Sequence, residues 1–220
     1  MKRNETIEAV KKEKIVVIVR GVPAERLIPL AEAMYAGGIR LLEITFDATG
    51  KTSPEETAMA IQMLCEHFEG RMLIGAGTVI TEEQLLLTAK AGGRFIISPD
   101  TDESIIRKTR ELGLVSMPGA LTPSECKRAH NAGADFVKLF PVDNLGPSYL
   151  KAVSAPLSHI DFLAVGGVSL ENIATYLKAG AKGFGVGSAI VDKKLIDSGN
   201  YEAVAALARA YVDAVREACV

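Results

Sequence analysis

Lys138 stands in an apolar segment, Phe136-Val137-Lys138-Leu139-Phe140-Pro141. In a strand, side chains alternate between faces, so Lys138 shares one face with Phe136 and Phe140 while Val137 and Leu139 take the other. Apolar neighbours offer an ammonium group little hydration, and burial lowers a lysine pKa. An amine that is partly neutral near pH 7 attacks carbonyl carbons, and its product is a Schiff base. The same side chain could instead reach solvent or pair with an acid at a strand end. Its surroundings decide between these readings.

A second reactive group is Glu43, in Leu41-Leu42-Glu43-Ile44-Thr45-Phe46. Leu42, Ile44 and Phe46 form one apolar face, which places Leu41, Glu43 and Thr45 on the other. A carboxylate on a buried face must be paired, hydrated or functional. As a general acid/base it complements an imine-forming lysine, one group binding the carbonyl carbon and the other moving protons. Arg20 ends the apolar run before Gly21 and shares a face with Val16 and Ile18. Its forked guanidinium suits a substrate carboxylate, or an ion pair with Glu43. Two glycine-rich corners, Val165-Gly166-Gly167-Val168-Ser169 and Gly185-Val186-Gly187-Ser188-Ala189, can present backbone N–H groups to a phosphate or serve as tight turns. Gly75-Ala76-Gly77-Thr78 and Ser98-Pro99 are further small-residue turns, and Thr78 adds a hydroxyl.

These residues need a scaffold that brings segments 100 residues apart to one mouth. Apolar runs at 15–19, 41–45, 72–75, 94–97, 114–116, 136–139, 162–165 and 183–186 have the length and composition of buried parallel strands. Helical patterns lie between and after them, at 24–36, 54–68, 82–91, 102–112, 123–132, 147–154, 170–179 and 201–218. Ser53-Pro54-Glu55-Glu56 has the form of a helix start, and Thr81, Thr122 and Ser169 are candidate caps, Gln84 and Glu125 completing two capping boxes. The phrase Ala-Gly-Gly or Ala-Gly-Ala recurs at 36–38, 91–93, 132–134 and 179–181, as at helix ends with a left-handed glycine. One strand–helix unit per roughly 25 residues predicts a single-domain (β/α)8 TIM barrel rather than an open sheet. Segment 5–12 is expected to be an extra N-terminal helix that closes the barrel bottom. In this architecture the chemistry lies at the C-terminal strand ends, where Arg20, Glu43, Lys138 and the glycine corners fall.

Composition narrows the function class. A formal net charge of −2 gives no reason to expect nucleic acid or an anionic membrane as partner. No apolar run is long enough to span a bilayer, and the polar start of the chain has no signal-peptide core, so a cytoplasmic protein is expected. Cys65, Cys126 and Cys219 are scattered and read as reduced structural thiols. His67, His130 and His159 show no metal-ligand spacing, so no metal is expected.

Taken together, the motifs resemble those of the 2-keto-3-deoxy-6-phosphogluconate / 4-hydroxy-2-oxoglutarate aldolase family, over roughly residues 15–189. Gly133-(x3)-Val137-Lys138-Leu139-Phe140-Pro141 matches the family's Schiff-base signature. Gly38-(x4)-Glu43-Ile44-Thr45-Phe46 matches its acid/base signature up to the last position, and Gly75-Ala76-Gly77-Thr78, Ser98-Pro99, Met117-Pro118-Gly119, Gly166-Gly167 and Gly187-Ser188 fall at the family's spacings. The resemblance implies a class I aldolase, without cofactor, acting on a small 2-keto acid that is commonly phosphorylated. It implies Lys138 as the imine lysine and Glu43 as the proton carrier. Thr78, Pro99 and Phe140 would shape a pyruvate pocket with Arg20 nearby, and Gly166, Gly167, Gly187 and Ser188 would hold a phosphate. It also implies a homotrimer.

Two positions depart from the pattern. Many members carry arginine where this chain has Asp47. Here Asp47 either repels a substrate carboxylate, leaving Arg20 to bind it alone, or turns away; Lys51 in the polar segment 47–53 is a possible substitute cation. Where gluconate-type members commonly have threonine, this chain has Val165, as in the 6-phosphogalactonate branch. The rival readings are a phosphosugar epimerase or isomerase, which shares the phosphate corners but does not require Lys138, and a catalytically weak barrel that binds a sugar acid.

Overall fold

The alternation of apolar runs and capped helices produces nine parallel strands and ten helices among the described residues, 3–219, of the computed structural model. The strands are β1 (Ile15–Val19), β2 (Leu41–Thr45), β3 (Leu73–Gly77), β4 (Phe95–Ile97), β5 (Val115–Met117), β6 (Gly119–Ala120), β7 (Val137–Leu139), β8 (Phe162–Val165) and β9 (Gly183–Val186). Their ladder runs β5-β4-β3-β2-β1-β9-β8-β7-β6. Its two ends, β5 and β6, are separated in sequence only by Pro118. The ladder therefore curls into a TIM-type barrel in which one broken strand closes the circle. Proline has no N–H to give to a ladder. β5 pairs with β4, and beyond Pro118 the chain pairs with β7 instead. The Pro118 carbonyl still accepts from Lys138 N–H at 2.9 Å.

The helices are α1 (Arg3–Glu13), α2 (Ala24–Ala36), α3 (Pro54–His67), α4 (Glu82–Lys90), α5 (Glu103–Glu111), α6 (Pro123–Ala132), α7 (Gly146–Ser154), α8 (Ile173–Lys178), α9 (Lys193–Asp197) and α10 (Tyr201–Ala218). Capping boxes at Thr81/Gln84 and Thr122/Glu125 start α4 and α6 as their sequences predict, and the expected start of α3 at Ser53 proves to be a third box, with Glu56. Gly38, Gly92, Gly133 and Gly180 take positive φ at the repeated helix stops. Two predictions are corrected. Ser169 does not cap a helix beginning at 170: its N–H donates to Asn172 Oδ1 in a turn, and α8 starts only at Ile173. The short α9, capped by Asp192, adds a turn of helix between β9 and α10.

Side-chain alternation divides the core into two layers. Val17, Val19, Leu42, Ile44, Ile74, Val137, Leu139 and Phe184 face outward and pack under the helices. Val16, Leu41, Leu73, Phe95, Val115, Phe136 and Leu163 fill the barrel itself. Val10 of α1, fully buried, joins this inner cluster, so the N-terminal helix does plug the barrel. No helix among the described residues is long and apolar enough to cross a membrane.

Candidate active site

β7 carries Lys138 into the barrel between Phe136 and Phe140, as its period-two pattern requires. The residue is 8% exposed. Its Nζ lies 4.5 Å from the centroid of the Phe140 ring, a contact that shields the amine from water on one side. Burial lowers the Lys138 pKa; the Arg20 charge lowers it further, and Glu43 pulls the other way. Each cause that lowers the value favours the neutral, nucleophilic amine.

β2 sets Glu43 on the inner face, 2% exposed. Burial raises its carboxyl to about 7, against the pull of Lys138 and Arg20. A carboxyl poised near neutrality can take and return a proton at physiological pH. Its Oε2 is buried without a hydrogen-bond partner. Buried orphan acceptors are rare and mark places where a ligand or water completes the structure. Glu43 can lie where it does because β3 offers no side chain beside it. A Cβ on Gly77 would stand 2.3 Å from Glu43 Oε1, and one on Gly75 would stand 2.3 Å from the Phe95 ring. The strand was expected to end at Gly75, with Gly77 in the turn beyond it; both lie within the strand.

Arg20 follows β1 at the rim, and its Nη2 donates to Thr78 Oγ1 at 3.1 Å. Thr78 has φ +56°, a left-handed conformation uncommon for threonine, directly after β3. Such a residue persists only where its surroundings enforce it, often at functional sites. Below the rim, Glu43, Lys138, Ile18, Ile97, Leu163, Val165 and Gly185 line a cavity of about 10 Å³. That is room for about one water, so a keto acid must have its body above this layer.

The family model for KDPG and KHG aldolase matches residues 6–207. The chain belongs to this family. Its members are aldolases, and this chain is therefore a carbon–carbon lyase acting on a 2-keto acid. It is 36% identical over 177 residues to a probable 2-dehydro-3-deoxy-6-phosphogalactonate aldolase of Rhizobium meliloti, covering 80% of this chain and 81% of that one. It is 31% identical to the 2-dehydro-3-deoxy-phosphogluconate aldolase of Haemophilus influenzae, covering 96% of each. Among solved structures it superposes on the KDPG aldolase of Legionella pneumophila, with pyruvate captured as a covalent carbinolamine, at a TM-score of 0.83 and 31% identity. That match covers 93% of this chain and 97% of the other.

Within this aldolase barrel the predicted residues fall around one mouth. Pro99 is exposed at the end of β4, its carbonyl packed where a Cβ on Gly119 would stand, 2.2 Å away. Gly166 and Gly167 have φ of +97° and +71°. A Cβ on Gly167 would lie 2.5 Å from that of Asp143, so only glycine lets this corner pack on the loop after β7. Gly187 and the exposed Ser188 form the corresponding corner after β9.

Asp47 does not face the site as an unpaired acid. Its carboxylate accepts from the N–H groups of Thr49, Lys51 and Thr52 and from Thr49 Oγ1, which together hold its pKa well below the usual carboxylate range. It turns back on its own loop. That loop, Arg20 and α3 enclose a cleft of about 830 Å³, whose lining includes Thr45, Lys51 and Met63. From sequence, Gly77 belonged to a small-residue turn at the mouth rather than to a strand beside Glu43, and Thr45 was an inward residue with no named role. Their signals are present: glycine at two alternating positions of one strand, and a hydroxyl on the inner face beside a carboxylate.

Proposed function

We propose that the chain is a class I aldolase in which Lys138 forms the imine and Glu43 carries the proton. The neutral Lys138 amine attacks the C2 ketone of the substrate. The resulting carbinolamine loses water, for which Glu43 supplies a proton, and leaves a protonated imine. Glu43 then takes the C4 hydroxyl proton as the C3–C4 bond breaks. The bonding electrons pass into the imine to give an enamine, and an aldehyde departs. Protonation at C3 and hydrolysis release pyruvate and regenerate the amine. The observation that carries this reading is the placing of a buried amine and a buried carboxyl in one barrel mouth. Both line one small cavity inside the barrel.

The substrate follows from the family and from the glycine corners. We infer 2-keto-3-deoxy-6-phosphogluconate, 4-hydroxy-2-oxoglutarate, or both, giving glyceraldehyde 3-phosphate or glyoxylate beside pyruvate. Gly166, Gly167, Gly187 and Ser188 would bind the far phosphate. A second reading, 2-keto-3-deoxy-6-phosphogalactonate, is favoured by Val165, which lines the cavity with Lys138 and offers no hydroxyl to a substrate OH. Family membership supports a cytoplasmic homotrimer and a single aldolase domain.

Borohydride reduction in the presence of pyruvate, followed by peptide mass spectrometry, tests the mechanism. A reduced pyruvate adduct on Lys138, absent from Lys138→Ala, is the expected result. An adduct elsewhere, or cleavage by the alanine variant at the wild-type rate, would overturn it. Comparing both phosphorylated C4 epimers with 4-hydroxy-2-oxoglutarate then ranks the substrates.

A further inference from the structure

Thr45 is the second buried polar group left unsatisfied in this protein's described residues. The residue is 7% exposed, and its Oγ1 is buried without a hydrogen-bond partner. A buried hydroxyl left unpaired is destabilising, so its persistence at a strand end, two residues from Glu43 on the same face, is the mark of a place a ligand completes.

The ladder registers show what surrounds it. Val19 pairs with Ile44, and Thr45 pairs with Gly77. Arg20, Thr45 and Gly77 therefore stand at one height on three neighbouring strand ends, with Thr78 next in the chain. A Cβ on Gly77 would lie 3.0 Å from Thr45 Cγ2, so the threonine methyl occupies the β3 side. Arg20 and Thr45 also line the larger cleft at the ends of β1 and β2, whose other walls are α2, α3 and the loop of residues 47–52. Arg20 and the Thr78 hydroxyl are hydrogen-bonded at this rim, and Thr45 ends the strand between theirs, so one guanidinium and two hydroxyls lie on adjacent strand ends, a donor set matched to a small anion. The anion that must sit near Lys138 is the carboxylate on the carbon next to the attacked ketone. Asp47, an acid, supplies no cation here, and its carboxylate is bound into its own loop.

We infer that Thr45 binds the substrate carboxylate, donating its hydroxyl proton to that group alongside Arg20. The inference rests on the aldolase reading and names a residue of the same site. The hydroxyl is held inside the barrel wall, so its geometry is set before the keto acid arrives, and little ordering is needed on binding.

The test is the pyruvate concentration giving half-maximal borohydride trapping on Lys138, measured for the wild type, Thr45→Val and Thr45→Ser, with melting temperatures alongside. A hydrogen bond to a charged group predicts a rise of roughly tenfold or more for Thr45→Val. Thr45→Ser should remain near the wild type, because it keeps the hydroxyl. In cleavage assays the change should appear in KM rather than kcat. With methyl pyruvate as the probe, which lacks the carboxylate, the difference between Thr45→Val and the wild type should shrink. Thr45→Ala makes the same comparison if the valine variant does not fold. Equal half-saturation in the wild type and both hydroxyl-free variants would overturn the inference and leave the aldolase mechanism standing. So would equal losses in Thr45→Ser and Thr45→Val, which would assign Thr45 a packing role. No pyruvate adduct in the wild type at any concentration would overturn the aldolase reading, and this inference with it.

Discussion

Glu43→Gln should make the protein more stable and less active, and the stability gain should depend on pH. In the folded chain the Glu43 carboxyl is raised from 4.5 to about 7 by burial. Below pH 4.5 it is protonated in both folded and unfolded chains, and its burial carries no ionic penalty. Between pH 4.5 and 7 the unfolded chain releases the proton while the folded chain keeps it, so stability falls as pH rises. Above pH 7 the full difference is lost, roughly 3 kcal/mol at about 1.4 kcal/mol per pH unit. Glutamine cannot ionise and escapes this loss. For a chain of this size, roughly 3 kcal/mol corresponds to a melting-temperature increase of roughly 5–10 °C at pH 8. At pH 5 the same linkage leaves roughly 1 kcal/mol, and the gap should narrow to roughly 2–4 °C. Scanning calorimetry of both proteins at pH 5 and pH 8 measures it, because contributions of the other titrating groups largely cancel in the difference. The cleavage rate of Glu43→Gln should fall roughly 10²–10⁴-fold, the usual size of a general acid/base contribution. A melting-temperature difference that is the same at both pH values would refute the reasoning, since the carboxyl would then titrate as if in water.

Other outcomes follow from the same geometry. Gly77→Ala places a methyl 2.3 Å from Glu43 Oε1 and should cost about 1–3 kcal/mol in urea denaturation, with a larger proportional loss of kcat than of stability. Val165→Thr should raise the rate on the phosphogluconate epimer relative to the phosphogalactonate epimer by roughly 2–10-fold, the worth of one neutral hydrogen bond, in parallel assays of the two acids. At the barrel bottom, Asp135 is almost buried, pairs with Arg3 and also accepts from Ser116 N–H at 2.9 Å. Asp135→Ala leaves these donors unmatched and should destabilise the chain by about 3–5 kcal/mol, read from denaturant midpoints, with pyruvate trapping unchanged under folding conditions.

The inner and outer faces of β2 and β7 were legible because strand alternation is a local rule: once Leu42, Ile44 and Phe46 are assigned outward, Glu43 and Thr45 have nowhere to point but in. The capping boxes of α4 and α6 and the start of α3 were legible for the same reason, as cap and partner lie within one turn. The break at Pro118 was not, because the strand changes neighbours there and partner choice belongs to the closed barrel. Gly75 and Gly77 looked like a strand end and the turn beyond it, since glycine weakens a strand in isolation; their need arises from Phe95 and Glu43, supplied by other strands. The turning-back of Asp47 was one of two open readings, and its local chemistry could have decided between them. An aspartate two residues before a threonine is a common local turn former, and this one caps its own loop.

The vacant inner face of β3 bears on how this protein can change. Two positions that differ from alanine by one methyl make room, Gly77 for the Glu43 carboxyl and Gly75 for the Phe95 ring. Replacement there can only add volume. Drift along β3 is thus one-directional and moves toward closure, whereas the rim at Val165, Asp47 and Thr45 can exchange groups of similar size. Laboratory evolution toward new aldehydes should accumulate its changes on the rim strands and loops, while β3 stays blank. In deep mutational scanning that would appear as a strand whose outward Ile74 and Ala76 accept conservative exchanges and whose two glycines accept none.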